Sequence, residues 1–428
     1  QMNVADSQRV SSALEHLGYH STRSAQDADV IVLNTCVVRQ SAEDKAYGRL
    51  NSLKPLKKAR PDLVINLMGC LVGIKGNPRV YERFPFVDVF SAPSDPVPLV
   101  EFLLQRDGRS QSEAEITLRY ALQDEDLVLP AEQRGSLISA FIPIVLGCSH
   151  ACTYCIIPYR RGVEISRPPE EILHEARALT AQGVREITLL GQIVDRYGKD
   201  QIEYPNLSGL LRQLHEIEGL ERIRFLTSHP NWMTDELLET VAELPKVMPH
   251  IEVPIQAGDD DVLAAMHRGY SADDYRRLVE KIRVRIPGVS IATDIIVGFP
   301  GESAGQFQHT YDLLAELKLD VAHLARYSPR EGTVSARRMP DDVPDEEKWR
   351  RFRLLEELQE GIAAQIHSAY LGQQVPVLFE ELLRGRWKGR TPTNKLVFVE
   401  SPADLRGKVL PVEITKTGAW SMQGILPV

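Results

Sequence analysis

Two hydrophobic rhythms alternate along most of the chain: short unbroken apolar runs, and longer stretches with apolar residues three and four apart. Residues 1–7 read as a loop running into a helix on which Val10, Leu14 and Leu17 recur, with Gly18 as its stop. The loop implies a strand before it. The run over 30–33 is apolar throughout, as in a strand buried on both faces, and it ends at Asn34-Thr35-Cys36. A helix over 41–53 and a second apolar strand over 63–68 follow, the latter ending at Gly69-Cys70. The segment 91–134 mixes polar, acidic and short apolar pieces and reads as the end of a first unit plus a linker.

From 141 the alternation becomes regular. A strand over 141–145 is followed by helix and strand pairs: 169–182 with 185–190, 207–217 with 222–226, and 235–244 with 250–253. Helices over 260–266 and 273–286 then lead to a strand over 289–297, and a helix over 305–317 to a strand over 321–325. Six such units predict a parallel sheet with crossover helices, a partial (β/α)6 barrel whose chemistry sits at the C-terminal strand ends. After a charged amphipathic helix over 345–370, the pattern changes to short strands over 374–379, 396–399, 408–414 and 422–426, which predict a small β-barrel. The expected architecture is α/β in three units: a parallel α/β sheet domain at 1–130, the partial barrel at 135–368 and the small β-barrel at 369–428.

Candidate chemistry concentrates where the first strand of the partial barrel ends. The chain has 5 cysteines, and three stand together as Cys148-x3-Cys152-x2-Cys155. Thiols at this density pair, bind zinc or hold an iron–sulfur cluster. Pairing leaves one over. Structural zinc wants four ligands, and no fourth is suitably spaced, although a zinc-stapled loop remains the competing reading. Three thiolates on a four-iron cluster leave one iron open for a substrate. This motif, with Tyr154 just before its last cysteine, resembles the signature of the radical S-adenosylmethionine (SAM) enzymes. The resemblance implies that Cys148, Cys152 and Cys155 hold a 4Fe-4S cluster whose open iron binds SAM, and that Tyr154 lies near the adenine. It places Gly191 and Gln192 near the SAM amino group, although Ile193 stands where the family usually has Asn. Ser228 and Gln256 follow the third and fourth strands, and Asp294 to Val297 resemble the strand that packs on the adenine. Arg160 and Arg161, just after the cysteine loop, suit a substrate phosphate or the SAM carboxylate.

Cys36 and Cys70 occupy equivalent places, each past the end of a parallel strand, where thiols ~4.8 Å apart by strand spacing can share a ligand. The stretches Gln1-Met2-Asn3, Asn34-Thr35-Cys36-Val37-Val38-Arg39 with Glu43 and Lys45, and Gly69-Cys70 resemble the amino-terminal domain of methylthiotransferases. That family implies a second, auxiliary 4Fe-4S cluster on Cys36, Cys70 and a third cysteine expected directly before Gln1. In the C-terminal unit Arg384, Arg386, Lys388, Arg390 and Lys395 alternate with Trp387 and Phe398, cations for phosphates and aromatics for bases. Residues 389–395, Asn394 among them, resemble the TRAM domain, an RNA-binding module. Lys54, Lys57, Lys58 and Arg60 form a further basic run, either solvated or in contact with tRNA.

The resemblance covers nearly the whole chain. It is nearest to the branch that replaces C2–H of N6-isopentenyladenosine, at position 37 of tRNA, with C2–SCH3. It implies two clusters, SAM, the tRNA anticodon stem-loop, an electron-donor protein such as flavodoxin or ferredoxin, and a sulfur donor. Rival substrates are threonylcarbamoyl-adenosine and a ribosomal-protein aspartate; a zinc-stapled RNA-binding protein is the non-enzyme alternative. Composition changes little in this picture. The 43% hydrophobic and 25% charged residues are ordinary, and a net charge of −9 argues against indiscriminate nucleic-acid coating. No apolar run reaches the ~20 residues of a membrane span. Unpaired cysteines suit a reducing cytoplasm, and a monomer is expected.

Overall fold

A computed structural model describes residues 1–108 and 129–427. Most of the expected linker, 109–128, lies outside the described residues. Strands β1 (Val30–Thr35), β2 (Val64–Gly69) and β3 (Val89–Ser91) form a parallel sheet in that order. The first helix, Met2–His16, already begins where a loop was expected, because Met2 and Ala5 are buried and belong to its inner face. Helix Gln40–Ala59 runs beyond 53 as Leu56 continues the row of Leu50 and Leu53. Helix Val97–Arg106 stands within the segment expected to be irregular, just after β3; Leu99, Val100, Leu103 and Leu104 are buried at the i, i+3, i+4 spacing of a helix face.

The central unit contains strands β4 (Ser139–Pro143), β5 (Val145–Leu146), β6 (Ile165–Ser166), β7 (Glu186–Leu190), β8 (Arg222–Leu226), β9 (His250–Glu252), β10 (Ser290–Val297) and β11 (Val321–Arg326). The barrel wall is two parallel sheets, β4-β7-β8 and β9-β10-β11. Between them the Ile223 N–H donates to Lys246 O (2.7 Å), and the Met248 N–H donates to Ile223 O (2.9 Å). Six parallel strands in chain order make the expected open barrel. One set of alternating side chains, including Ile187, Leu189, Ile223, Phe225 and Ile291, is buried in the main apolar core. The other set faces the lumen and is polar: Glu186, Arg222, Arg224, His250, Glu252 and Asp294.

Helix Asp345–Ser368 leads to β12 (Gln374–Leu383), β13 (Arg386–Arg390), β14 (Leu396–Val399), β15 (Val409–Thr417) and β16 (Met422–Ile425). These close into a barrel in the order β12-β13-β14-β16-β15. Strand β13, read from the sequence only as a run of cations, pairs both neighbours, and a Cβ at Gly389 would lie 2.6 Å from Leu378 O.

The two outer units close opposite ends of the central barrel. The small β-barrel meets the N-terminal strand ends. Arg222 donates to Arg390 O (2.7 Å), Arg224 donates to Thr391 O (3.0 Å) and Pro392 O (2.8 Å), and Lys395 pairs with Asp320 just before β11. The amino-terminal unit covers the C-terminal strand ends, where Met2 packs on Phe141, Leu190 and Leu226. It is latched on one flank by Arg9–Glu175 (2.8 Å) and on the other by Arg330, which binds Glu43 and Gln40.

Candidate functional site

The cysteine loop is fixed by backbone before any ligand is considered. Antiparallel strands β5 and β6 frame it. Gly147 opens it at φ 67°, where a Cβ would lie 2.0 Å from Val163 O, so only glycine fits. The Cys148 N–H donates to Gly162 O (3.0 Å), the Thr153 N–H to Met266 O (3.1 Å), and the Ser335 N–H to Thr153 O (2.8 Å). Three separate segments thereby hold a loop that makes no regular structure.

All five cysteines are free thiols. Burial pushes the Cys148 thiol up and the Cys155 thiol up to about 12. Such thiols stay protonated unless positive charge compensates them. One source is present: buried Arg268 donates to Cys152 Sγ (3.2 Å), to Tyr270 Oη (2.8 Å) and to Pro254 O (3.2 Å). His150 Nδ1 lies 3.3 Å from Cys152 Sγ, and burial together with Arg268 pushes its ring down to about 4, so it is neutral at pH 7. Among the described residues, no three His, Cys, Asp or Glu side chains are grouped to hold a single metal ion. The donor set is all sulfur, and its burial calls for positive charge. A cationic iron–sulfur core, which turns buried thiols into thiolates, fits both properties.

Around this loop the strand ends carry strain and unmatched polar atoms. Thr227 after β8 and Gln256 after β9 sit at φ 67° and φ 82°, a left-handed backbone that non-glycine residues rarely adopt. Gln256 is held there by its N–H to Asp294 O (2.9 Å) and by the Ile296 N–H to its carbonyl (3.0 Å). Ser228 Oγ and His229 Nε2 are buried without a partner among the described residues. The His229 ring is 4.5 Å from His150, and burial plus Arg268 pushes it down to about 2. Burial pushes Asp195, which accepts the His229 N–H (3.0 Å), up to about 7. Glu252 also rises to about 7, through burial and then Asp294. Asp294 itself is raised by burial, against the pull of His323 and of Arg39 from the amino-terminal unit. Gly191 is buried, and Gln192 Nε2 lies 3.8 Å from Met2 Sδ. Tyr154 stands edge-on to Phe299, with ring centroids 6.4 Å apart. Val297, on the strand that the resemblance sets against the adenine, has its side chain buried in the apolar core.

Cys36 and Cys70 follow the paired ends of β1 and β2, where Thr35 stands beside Gly69. The Cys70 N–H donates to Thr35 O (3.1 Å), and at Gly69 (φ 101°) a Cβ would lie 2.5 Å from that same oxygen. Burial raises the Cys70 thiol, and Arg161 opposes it. Arg161, which the sequence suited to a substrate phosphate or the SAM carboxylate, is buried between the two units. It donates to Cys70 Sγ (3.3 Å), Met2 Sδ (2.8 Å) and Asn3 Oδ1 (3.1 Å), and it faces Asp6 at 3.6 Å. Ile156, next to Cys155, packs in one apolar cluster with Cys70, Leu71 and Val72. The two thiol-bearing edges therefore share a wall.

The expected RNA contacts are dispersed, and several are turned inward. Trp387 is 5% exposed and fills the small barrel's core, so it has no free face for a base. Lys395 is buried against Asp320, and Arg390 and Asn394 lie at the junction beneath the central barrel. Lys388 is shared by Glu380 (3.3 Å) and Glu381 (2.8 Å). Arg386 lies over Phe398 (5.1 Å), and Arg160 is half-buried. Lys57 is held by Asp88 (2.8 Å). Sequence reasoning missed Arg268, Glu252, Met2 and the Arg330–Glu43 latch. Each acquires its role from a distant partner, and no spacing marks it.

Three family models match the chain: "Radical SAM superfamily" over 142–314, "Uncharacterized protein family UPF0004" over 1–92 and "TRAM domain" over 368–426. A curated relative from Roseiflexus sp. (strain RS-1) is 46% identical over all of this chain and 87% of its own length. A relative from Herpetosiphon aurantiacus is 45% identical over all of this chain and 95% of its own length. Both are named tRNA-2-methylthio-N(6)-dimethylallyladenosine synthase. Among solved structures, the radical S-adenosylmethionine methyltransferase TsrM from Kitasatospora setae, with cobalamin and a [4Fe-4S] cluster bound, has a similar fold. Its TM-score is 0.51 at 15% identity, over 73% of this chain and 66% of that one.

Proposed function

The chain belongs to the family of the tRNA-2-methylthio-N(6)-dimethylallyladenosine synthases, within the radical SAM superfamily, and on that premise we propose that it converts C2–H of N6-isopentenyladenosine, at position 37 of tRNA, to C2–SCH3. The observation that carries this reading is the shared wall. Cys70 accepts from Arg161 and packs in one cluster with Ile156, the residue after Cys155, so the two thiol-bearing edges adjoin.

Cys148, Cys152 and Cys155 would hold a 4Fe-4S cluster, which would supply one-electron reducing chemistry towards SAM, and Cys36 and Cys70 would help to hold a second, which would offer a place for sulfur. The rest is the work of the chain. The target C2–H is unactivated, so a protein base cannot remove it as a proton; the site has to hold the base where its hydrogen can be taken as an atom. Arg268 holds positive charge beside Cys152. Ser228 offers an unmatched hydroxyl, and Gln256 and Asp294 stand at neighbouring strand ends, where they orient SAM. Met2, Arg161 and the Arg330–Glu43 latch close the amino-terminal unit over the barrel mouth and keep dioxygen and stray hydrogen-atom donors away from a radical. The small barrel, matched to the TRAM domain, contributes to tRNA binding through its exposed cations. The reaction also requires a one-electron donor protein and a sulfur donor, and the enzyme acts as a cytoplasmic monomer.

The test is anaerobic reconstitution followed by incubation with SAM, dithionite and tRNA bearing isopentenyladenosine, then nucleoside mass spectrometry. The expected result is a mass gain of one methylthio group on isopentenyladenosine. Gain only on threonylcarbamoyl-adenosine would move the substrate. Zinc without acid-labile sulfide would overturn the chemistry.

A further inference from the structure

Around the barrel mouth Arg161, Arg268 and Arg330 each hold a partner, and Arg39 holds none. Arg39 is exposed and stands three residues past Cys36; among the described residues its side chain has no ion pair and no hydrogen bond. Its charge still pulls down on the Asp294 carboxyl, so the guanidinium is within electrostatic reach of the lumen. It therefore stands where the amino-terminal unit overhangs the barrel mouth.

Arg39 is also the N-cap of the 20-residue helix Gln40–Ala59, and no side chain caps that end. The Ala42 and Glu43 N–H groups donate to Arg39 O (3.0 Å and 3.3 Å), while those of Gln40 and Ser41 have no acceptor among the described residues. The Ser41 hydroxyl is exposed and likewise unpartnered among them. Arg330 adds an independent observation. It is 7% exposed, its guanidinium donates to Gln40 Oε1 and Glu43 in this same turn, and its Nε–H is buried without a partner among the described residues. The acids nearby are committed. Glu43 accepts from Arg330 and from Tyr47 Oη (3.2 Å); Asp44 accepts from Gln40 Nε2 (2.9 Å) and is followed by exposed Lys45, which has no ion pair among the described residues. Burial holds Asp294, across the chamber, towards its neutral form. A free guanidinium, free first-turn N–H groups and a buried unmatched N–H thus meet with no anion to match them.

We propose that Arg39, the first turn of helix Gln40–Ala59 and Arg330 form the seat for one backbone phosphate of the RNA, beside the target adenosine. This rests on the reading of the chain as a tRNA methylthiotransferase. The target base has to enter between the two thiol-bearing edges, and its own backbone then stays at the rim, where Arg39 is exposed. The non-bridging oxygens of a phosphodiester match a guanidinium fork and helix N-terminal N–H groups. The competing anion is the SAM carboxylate. SAM belongs to the Cys148 loop of the central unit, whereas this seat is built on the amino-terminal unit and on the segment after β11. Arg39 is a positioning residue: no bond forms or breaks at the seat, and holding the phosphate keeps the base from sliding along its strand.

The test uses the reconstituted full chain and an anticodon stem-loop RNA bearing isopentenyladenosine, with native linkages or with one neutral methylphosphonate on either side of the target. RNA affinity is titrated over a range of salt for wild type, Arg39→Gln and Arg39→Lys, and SAM affinity is measured without RNA. Arg39→Gln is expected to bind the native RNA about tenfold more weakly, with a salt slope smaller by about 0.7, the value for one phosphate on a single strand. One of the two neutral linkages should cost wild type the same factor and cost Arg39→Gln nothing further. Arg39→Lys should keep the salt slope and lose only part of the affinity. Unaltered RNA affinity in Arg39→Gln would overturn the proposal, as would losses that add at both linkages. Weaker SAM binding with RNA affinity intact would give the seat to the SAM carboxylate and overturn it too. A wild type that forms 5′-deoxyadenosine but neither binds nor methylthiolates this RNA would sink the functional reading instead.

Discussion

Both ends of the central barrel are covered by another part of the chain, one by the amino-terminal unit and the other by the small β-barrel. At the N-terminal strand ends the charged and polar groups that meet the small β-barrel are matched, and Gln359 Oε1, beside Asp320, is the exception nearby. Glu186 and Arg224 pair at 2.9 Å, Arg224 also caps Thr391 O and Pro392 O, Lys395 meets Asp320, and His250 meets Ser290 Oγ. None of these side chains is left without a partner. At the C-terminal strand ends, Ser228 Oγ, His229 Nε2, Trp232 Nε1 and Arg330 Nε are buried and unmatched among the described residues, Thr227 and Gln256 are strained, and thiols are buried without enough charge to ionise them. A satisfied polar interface specifies an assembly, whereas an unsatisfied one is waiting for something else to complete it. The difference separates the structural end from the chemical end without any ligand in view.

Substitutions should respect that division. Cys148→Ala is expected to abolish SAM cleavage and lower the iron content by half while leaving the thermal transition of the metal-free protein in place; full iron content would break the assignment. At the other end, Lys395→Met leaves Asp320 buried and alone, and is expected to cost about 3–5 kcal/mol in denaturant unfolding with activity per folded molecule retained. A loss of activity at unchanged stability would mean that this end, too, is chemical.

Glu252 sharpens the contrast through pH. Its carboxyl is raised from 4.5 to about 7 by burial and by Asp294, so the folded state holds the proton more tightly than the unfolded chain. That stabilisation is present below pH 4.5 and is lost as pH rises towards 7. Glu252→Gln should therefore stabilise the protein at pH 8, by up to ~3 kcal/mol, and do nothing at pH 4, as read by thermal unfolding at the two values. Arg161→Gln removes the donor to Cys70 Sγ and is expected to weaken iron retention at the amino-terminal thiols by about 10–100-fold against a chelator, sparing the Cys148 loop. The smallest effect belongs to the Arg9–Glu175 latch. Burial pushes Glu175 up, but Arg9 and Arg167 outweigh it and hold the carboxyl below 4.5. The latch contributes above that pH and is lost as pH falls through the folded value. Wild type should lose more thermal stability than Glu175→Gln between pH 6 and pH 3.

The six barrel strands and the cysteine loop were legible because apolar periodicity and cysteine spacing are local properties of the sequence. Helix Val97–Arg106 was missed although the row of Leu99, Val100, Leu103 and Leu104 was visible, because the polar and acidic pieces around it broke the apolar pattern of 91–134 into short lengths. Trp387 and Lys395 turn inward for a different reason. An alternation of Arg and Lys with Trp387 and Phe398 looks the same whether it faces RNA or a neighbouring domain, and only the carbonyls and carboxylates of the central barrel decide it. Arg161 was similar: its charge was evident, but its partner, Cys70, lies 91 residues away. Among the described residues no helix is long and apolar enough to cross a membrane, as the absence of long apolar runs suggested.

The most direct test of the central claim is to give the reconstituted enzyme SAM, dithionite and tRNA whose isopentenyladenosine carries deuterium at C2, and to weigh the products. Removal of that hydrogen as an atom at the C-terminal strand ends predicts one deuterium in 5′-deoxyadenosine for each methylthio group gained. Methylthiolated tRNA with unlabelled 5′-deoxyadenosine would contradict it.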